Sequence, residues 1–202
     1  MSDPATGLLV VISGPGGVGK GTVCQELLKG GDLAVSVSVT TRAPRPDEKE
    51  GRHYYFRTRE EFERLRADGR LLESAEVSGN LYGTPRAEAE KLLAAGKTVI
   101  LEIDVQGGRQ VKSVLPCLTI FLMPPSREEL EARFCRRGAD SAQVMAARMA
   151  LAVEEIAAAA DYDFVVVNDE LERTVTEVRQ IIKAAREDTS KYSVSEKKED
   201  GI

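Results

Sequence analysis

Short aliphatic runs alternate along this chain with longer stretches that repeat at a helical period. Leu8–Ile12 is an unbroken apolar run between turn residues, the mark of a strand covered on both faces. From Gly19 to Lys29 the apolar positions Val23, Leu27 and Leu28 share one helical face, and Gly30–Gly31 stop the predicted helix. Val35, Val37 and Val39 alternate with polar positions and predict one half-exposed strand. Between Thr40 and Gly96 the pattern turns polar. Short strands are predicted near His53–Phe56 and Leu71–Val77, together with two helices. One helix opens at the capping box Thr58-x-x-Glu61 and ends at Gly69; the other opens near Thr84–Pro85 and ends at Gly96.

Aliphatic strands return at Thr98–Asp104 and Leu118–Met123. A second capping box, Ser126-x-x-Glu129, opens an arginine-rich helix, and Ser141 is placed to cap another. Phe164–Val167 predicts a last buried strand, and Leu171–Arg186 a helix with Val175, Val178 and Ile182 turned inward. Residues 190–202 are charged and patternless. No internal repeat is visible. Strands alternating with helices predict an α/β fold around a mostly parallel sheet, with the polar stretch as an inserted lobe.

Composition narrows the class of partner. The 202 residues suit one domain, with enough core to need no disulfide or structural metal. A net charge of −5 argues against nucleic acid or an anionic membrane as the main partner, so any polyanion must meet a local cluster of cations. Cys24, Cys117 and Cys135 show no metal-ligand spacing, and His53 is the sole histidine, which sets aside histidine triads. No apolar run is long enough for a leader or a membrane span, so a cytoplasmic location is expected.

Against that background "SGPGGVGKGT", residues 13–22, stands out. Gly14, Pro15, Gly16, Gly17, Val18, Gly19 and Lys20 fit the G-x-x-x-x-G-K phosphate loop between a predicted strand and a predicted helix. Backbone N–H groups of such a loop and the helix N-terminus cradle phosphate oxygens, and the lysine reaches the β- and γ-phosphates. The next residue is ordinarily Ser or Thr, whose hydroxyl reaches magnesium; here it is Gly21, followed by Thr22.

The inserted lobe holds a second group of phosphate-seeking residues. Arg42 and Arg45 lie three apart in "SVTTRAPRPDEKEGRHYYF", with Tyr54 nine further on. Guanidinium forks suit phosphate oxygens, and phenol hydroxyls complete the shell. Glu73, Tyr82 and Thr84 follow in "LLESAEVSGNLYGTPR". Glu102 and Asp104 are two apart on a predicted strand, hence on one face near its ligand-facing end. Carboxylates so close to a phosphate loop repel its ligand, unless they order hydrated magnesium or accept hydrogen bonds from a base. Guanine's N1–H and N2–H₂ suit two carboxylates, whereas adenine offers an acceptor there.

These segments, with "ILEIDVQGG", "RRG" and "VVNDE", resemble the guanylate kinase family in order and spacing from about Leu8 to Arg186. The resemblance implies a P-loop NTPase-type parallel sheet core with an inserted GMP-binding lobe and a helical lid. It divides a single domain into residues 1–37, 97–126 and 161–189 as nucleotide core, 38–96 as GMP lobe, 127–160 as lid and 190–202 as a charged tail. Carried over by position, Ser38, Glu73, Thr84 and Asp104 read guanine, while Arg42, Arg45, Tyr54 and Tyr82 hold the GMP phosphate. Arg133, Arg137 and Arg148 join Lys20 as catalytic residues of a lid that closes over the transferring phosphoryl group, and Asn168 falls in the adenine-contacting segment. The implied reaction takes ATP and GMP, with dGMP alongside, to ADP and GDP. Mg²⁺ is held through the ATP phosphates and water, with Glu102 or Asp104 in its outer shell. No nucleic acid, membrane or obligate protein partner is implied. Two competitors are weaker. A sugar-phosphate kinase has no use for base-reading carboxylates, and guanylate-kinase-like interaction modules have degraded phosphate loops, whereas Lys20 and three lid arginines remain here.

Overall fold

The computed structural model describes residues 7–77, 79–136, 142–188 and 191–192. Its centre is a five-stranded, all-parallel sheet in the order β2-β7-β1-β8-β9. These strands are β1 (Leu8–Ser13), β2 (Leu33–Val35), β7 (Thr98–Glu102), β8 (Leu118–Met123) and β9 (Phe164–Val167). Every residue of β1 is buried, because alternate side chains enter separate cores on the two faces. Val10 and Ile12 pack with Val23 and Leu27 of α1 (Lys20–Leu28) and with Val178 and Ile182 of α7 (Leu171–Glu187). Leu9 and Val11 pack on the other face with Val99, Leu101 and Val111, the last from α4 (Val105–Val114).

A second sheet of four strands, in the order β4-β3-β6-β5, carries the inserted segment. It comprises β3 (Val39–Thr40), β4 (Tyr55–Phe56), β5 (Leu71–Val77) and β6 (Asn80–Pro85). Helix α2 (Arg59–Ala67) lays Phe62, fully buried, against it. Both halves of the Thr58–Glu61 capping box are made. Helix α3 (Arg86–Ala94) returns the chain to β7. Helices α5 (Arg127–Arg136) and α6 (Ala142–Ala157) follow β8 and bury Leu130, Phe134, Met149 and Ala152 between them. A 3-10 turn at Ala158–Asp161 leads into β9.

Four expectations need correction. The single strand predicted through Val35, Val37 and Val39 is two strands in two sheets: Leu33–Val35 pairs with β7, and Val39–Thr40 pairs with β4 and β6. A period of two specifies faces but names no partner, so it runs unbroken across the change of sheet. Residues 80–85 form a strand before the predicted helix begins at Arg86. Gly83 is central to that strand because a Cβ there would lie 2.9 Å from Leu71 Cδ1 and 3.1 Å from Phe62 Cζ. The predicted strand Thr98–Asp104 ends at Glu102, and Asp104 instead caps α4, accepting from the Gly107 N–H at 2.8 Å. Finally, β9 is an edge strand of the sheet; only Val166 is buried, and Phe164, Val165 and Val167 are 40–46% exposed. Aliphatic composition does not distinguish a central strand from an edge one. Ser141, Arg137 and nearly all of the 190–202 tail lie outside the described residues.

Candidate functional site

The glycine-rich loop leaves the buried end of β1 and turns into α1, as its motif predicts. Gly19, at the helix N-cap, has φ +105, and a Cβ on it would meet Asn168 Nδ2 at 2.7 Å. Gly17, φ +79, would set a Cβ 2.8 Å from the Phe134 ring. Both positions need glycine for conformation and for close approach. Lys20 Nζ reaches back across the mouth of the loop, donating to the carbonyl oxygens of Gly14 at 2.6 Å and Pro15 at 3.2 Å. The Gly16 N–H donates to Glu155 Oε2 at 3.1 Å, a contact that no sequence motif announced.

Three predicted residues support the loop from outside. Asn168 is buried, and its amide donates to the Val18 carbonyl at 2.8 Å. Arg133 donates to that same oxygen at 2.8 Å and to the Asn168 carbonyl at 2.9 Å, with Glu129 holding its Nε at 2.9 Å. Arg148 stacks over the Phe134 ring at 5.7 Å, and Phe134 itself lies against Gly16 and Gly17. The helix pair thus brings Arg133, Phe134 and Arg148 onto the phosphate loop.

The arginine, tyrosine and carboxylate residues singled out in the inserted stretch assemble in two groups about the second sheet. Arg42 lies 5.5 Å over the Tyr54 ring, and Tyr54 meets Tyr82 edge-on at 5.9 Å. Glu48, which sequence reading passed over, organises this group. It accepts from Arg42 at 2.7 Å and from the Arg45 backbone N–H at 2.8 Å. The bond to Arg42 holds the Glu48 carboxyl below the ordinary carboxylate range. The Arg45 side chain is exposed, and Ser38 gives its carbonyl to the Tyr55 N–H at 2.8 Å. Burial first, and then Glu102 and Tyr82, push the Tyr54 hydroxyl up to about 12. Glu102 also stands 3.4 Å from where a Gly21 Cβ would sit, so it lies between the acceptor tyrosine and the phosphate loop.

The second group is deeper. Glu73 on β5 is 4% exposed and accepts from the Thr84 hydroxyl of β6 at 2.8 Å. Burial pushes its carboxyl up to about 7, opposed by the Thr84 bond and reinforced by Asp104. Gln110 of α4 fixes the strand at the neighbouring residue: the Ser74 N–H donates to its Oε1 at 3.0 Å, and its Nε2 donates to the Ser74 carbonyl at 2.8 Å. The position of Glu73 also explains the helix that sequence reading missed. Two glycines depress helix propensity by about 1 kcal/mol each, yet Gly107 is required because a Cβ on it would lie 2.6 Å from Glu73 Oε2. Gly107→Ala is therefore expected to push the Glu73 carboxylate off the Thr84 hydroxyl, since the carboxylate yields more easily than the helix; an unmoved Glu73 in the structure of the variant would contradict this reading.

Among the described residues no group of three or more His, Cys, Asp or Glu side chains is placed to hold a metal ion. The phosphate loop and the second site approach each other where Glu102 stands beside Gly21. One is an anion cradle of backbone N–H groups. The other pairs an arginine–tyrosine group with the buried Glu73 carboxyl and, beside it, half-buried Asp104, acceptors suited to a base that offers donors.

Known proteins of one family match most of the chain. The family model described as guanylate kinase matches residues 6–185. The chain is similar to guanylate kinase of Desulfitobacterium hafniense, 48% identical over 182 residues covering 89% of this chain and 91% of the relative. It is 51% identical to guanylate kinase of Streptococcus thermophilus over 181 residues, 88% of this chain and 87% of that one. The crystal structure of guanylate kinase from Anaplasma phagocytophilum superposes with a TM-score of 0.78 at 38% identity, covering 93% of this chain and 90% of that one.

Proposed function

Because the chain belongs to the guanylate kinase family and is a kinase that phosphorylates GMP, we propose that ATP is held on loop 14–22 and GMP on the second sheet. The observation that carries this division is the buried Glu73–Thr84 pair beside Asp104, opposite a loop of backbone donors. Ser38, Glu73, Thr84 and Asp104 read the base. Arg42, Arg45, Tyr54 and Tyr82 hold the acceptor phosphate, with Glu48 orienting Arg42. Residues 38–96 are thus the GMP lobe and 127–160 the lid. Residues 1–37, 97–126 and 161–189 form the nucleotide core.

Lys20 swings from the Gly14 and Pro15 carbonyls to the transferring phosphoryl group, and Arg137 and Arg148 spread their charge over its equatorial oxygens. Arg133 acts from the side, holding Val18 and Asn168 in place; Asn168 serves ATP through the same loop. No covalent intermediate is required, because phosphoryl transfer is accelerated by positioning and charge. The test is ADP release, coupled to a spectroscopic readout, against a panel of nucleoside monophosphates. GMP should dominate with dGMP next; comparable kcat/KM for AMP would overturn the site.

The surroundings of Gly21, with the Glu102 carboxylate beside it, fit hydrated Mg²⁺, which commonly keeps several waters and is bound through one or two carboxylates and substrate phosphates. An ion held there would supply neutralising charge to the phosphate oxygens. Glu102, beside Gly21, is the better outer-shell residue; Asp104 caps α4 with one oxygen and lies by Glu73 at the base site. Thr22, one residue on and turned about 100° away, contacts an ATP phosphate. Thr22→Ala is expected to weaken ATP use roughly tenfold and leave the half-saturating Mg²⁺ unmoved; a tenfold rise in that value would make Thr22 the ligand. The thiols Cys24, Cys117 and Cys135 are free, which suits a reducing cytoplasm. No helix among the described residues is long and apolar enough to cross a membrane.

A further inference from the structure

Glu155 sits two turns beyond Arg148 on α6, and a spacing of seven puts both side chains on one helical face. That face looks onto the phosphate loop. Glu155 Oε2 accepts from the Gly16 N–H at 3.1 Å, one of the backbone donors of the loop's anion cradle, and Arg148 stacks on the Phe134 ring that covers Gly16 and Gly17. A carboxylate is a fair substitute for a phosphate oxygen: it is anionic, planar and accepts the same N–H. Two anions cannot share that donor without strong repulsion. Glu155 is also held uneasily. Burial pushes its carboxyl up; Lys20 and the Gly16 N–H draw it back, and Asp104 adds repulsion.

We propose that Glu155 is an internal competitor of the ATP phosphates for the Gly16 N–H, and that its expulsion by phosphate releases this face of α6 from the loop, so that Arg148, two turns along the same face, moves with it. The same face thus offers an anion to bare N–H groups and a cation to phosphate. Glu155 is in this sense a positioning residue: it weakens ATP binding and ties movement of the lid helix to occupancy of the loop. The inference rests on the reading that loop 14–22 holds ATP.

The test is calorimetric binding of the β,γ-imido analogue of ATP to the full chain and its variants, without acceptor. Glu155→Gln retains an acceptor for the Gly16 N–H but removes the charge, and Glu155→Ala removes both. Each is expected to bind the analogue about three- to tenfold more tightly than the parent, with adenosine affinity unchanged. Binding of inorganic tripolyphosphate should tighten by the same factor, because the competition is for phosphate. Unchanged or weaker affinity in both variants overturns the inference. So does tightening in Glu155→Ala alone, which would make the effect one of packing. Lys20→Ala separates this from the site reading. If it leaves analogue affinity at the parent value, ATP is not held on this loop and both readings fall. If it weakens binding while the Glu155 variants do not tighten it, only the inference falls.

Discussion

Glu73→Gln is expected to lower kcat/KM for GMP by about 10³–10⁴ while leaving the KM for ATP within a few-fold. Sites that accept hydrogen bonds from a particular base edge discriminate on this scale, because the wrong partner leaves buried polar groups unpaired. Glutamine keeps the shape of Glu73 but brings its own N–H₂ against guanine's donors. The pH dependence gives the same assignment a second, independent check. In the free protein the Glu73 carboxyl stands at about 7, above the ordinary 4.5. The folded chain thus retains a proton that the unfolded chain has released. Its contribution to stability is full below about pH 4.5 and is lost as pH rises to about 7. Guanine binding has the opposite sign, since donors favour the ionised carboxylate. GMP affinity should therefore fall as pH drops below 7, by up to tenfold per unit. The ligand's own phosphate ionises near about pH 6 and adds a slope in parent and mutant alike, so the difference between them is the quantity to read. Identical pH profiles for parent and Glu73→Gln would remove Glu73 from the base site. The same substitution should raise the melting temperature at pH 8, because a buried charge is replaced by a neutral amide. Function here is maintained against stability.

Lys20→Met should reduce kcat by about 10²–10³, the scale seen when one preorganised donor to developing charge is removed. Methionine retains much of the aliphatic stem, so the loop should fold as before. The ammonium now bridges the Gly14 and Pro15 carbonyls, holding the loop's mouth in shape as well as awaiting phosphate. A structural role alone would be partly met by Lys20→Arg, whose guanidinium can reach the same carbonyl oxygens. A role in transfer would not, because the fork cannot place its charge where the compact ammonium does. Single-turnover rates for both variants, with ATP and GMP saturating, decide between the two. If Lys20→Met retains more than a tenth of the parent rate, Lys20 is a structural tie only.

Local chemistry wrote part of this protein plainly into its sequence. Gly14, Gly17 and Gly19 are needed for their own positive backbone angles, so the phosphate loop is legible as a motif. Thr58 and Glu61 bond each other's backbone within one turn, so that cap is legible too. The aliphatic runs of β1, β7 and β8 report burial on both faces because each residue's environment is set by the helices that must cover a parallel sheet. Arg42, Tyr54, Glu73, Tyr82 and Thr84 could be listed from spacing and resemblance. What sequence reading could not supply was which residues answer one another across the fold. Glu48 belongs to no motif, and only the fold sets it against Arg42. Gly107 reads as a helix breaker until Glu73, 34 residues earlier in the numbering, is seen to fill the space its side chain would need. The sequence by itself determined the α/β alternation, the phosphate loop and the chemistry of both sites, because those depend on residue type and short-range geometry. Only the tertiary structure decided that Val35 and Val39 belong to different sheets, that Gln110 clamps the strand carrying Glu73, and that Glu155 meets the Gly16 N–H. Those contacts join positions from 36 to 139 residues apart, and long-range pairing is set by the packing of whole elements, which no local pattern records.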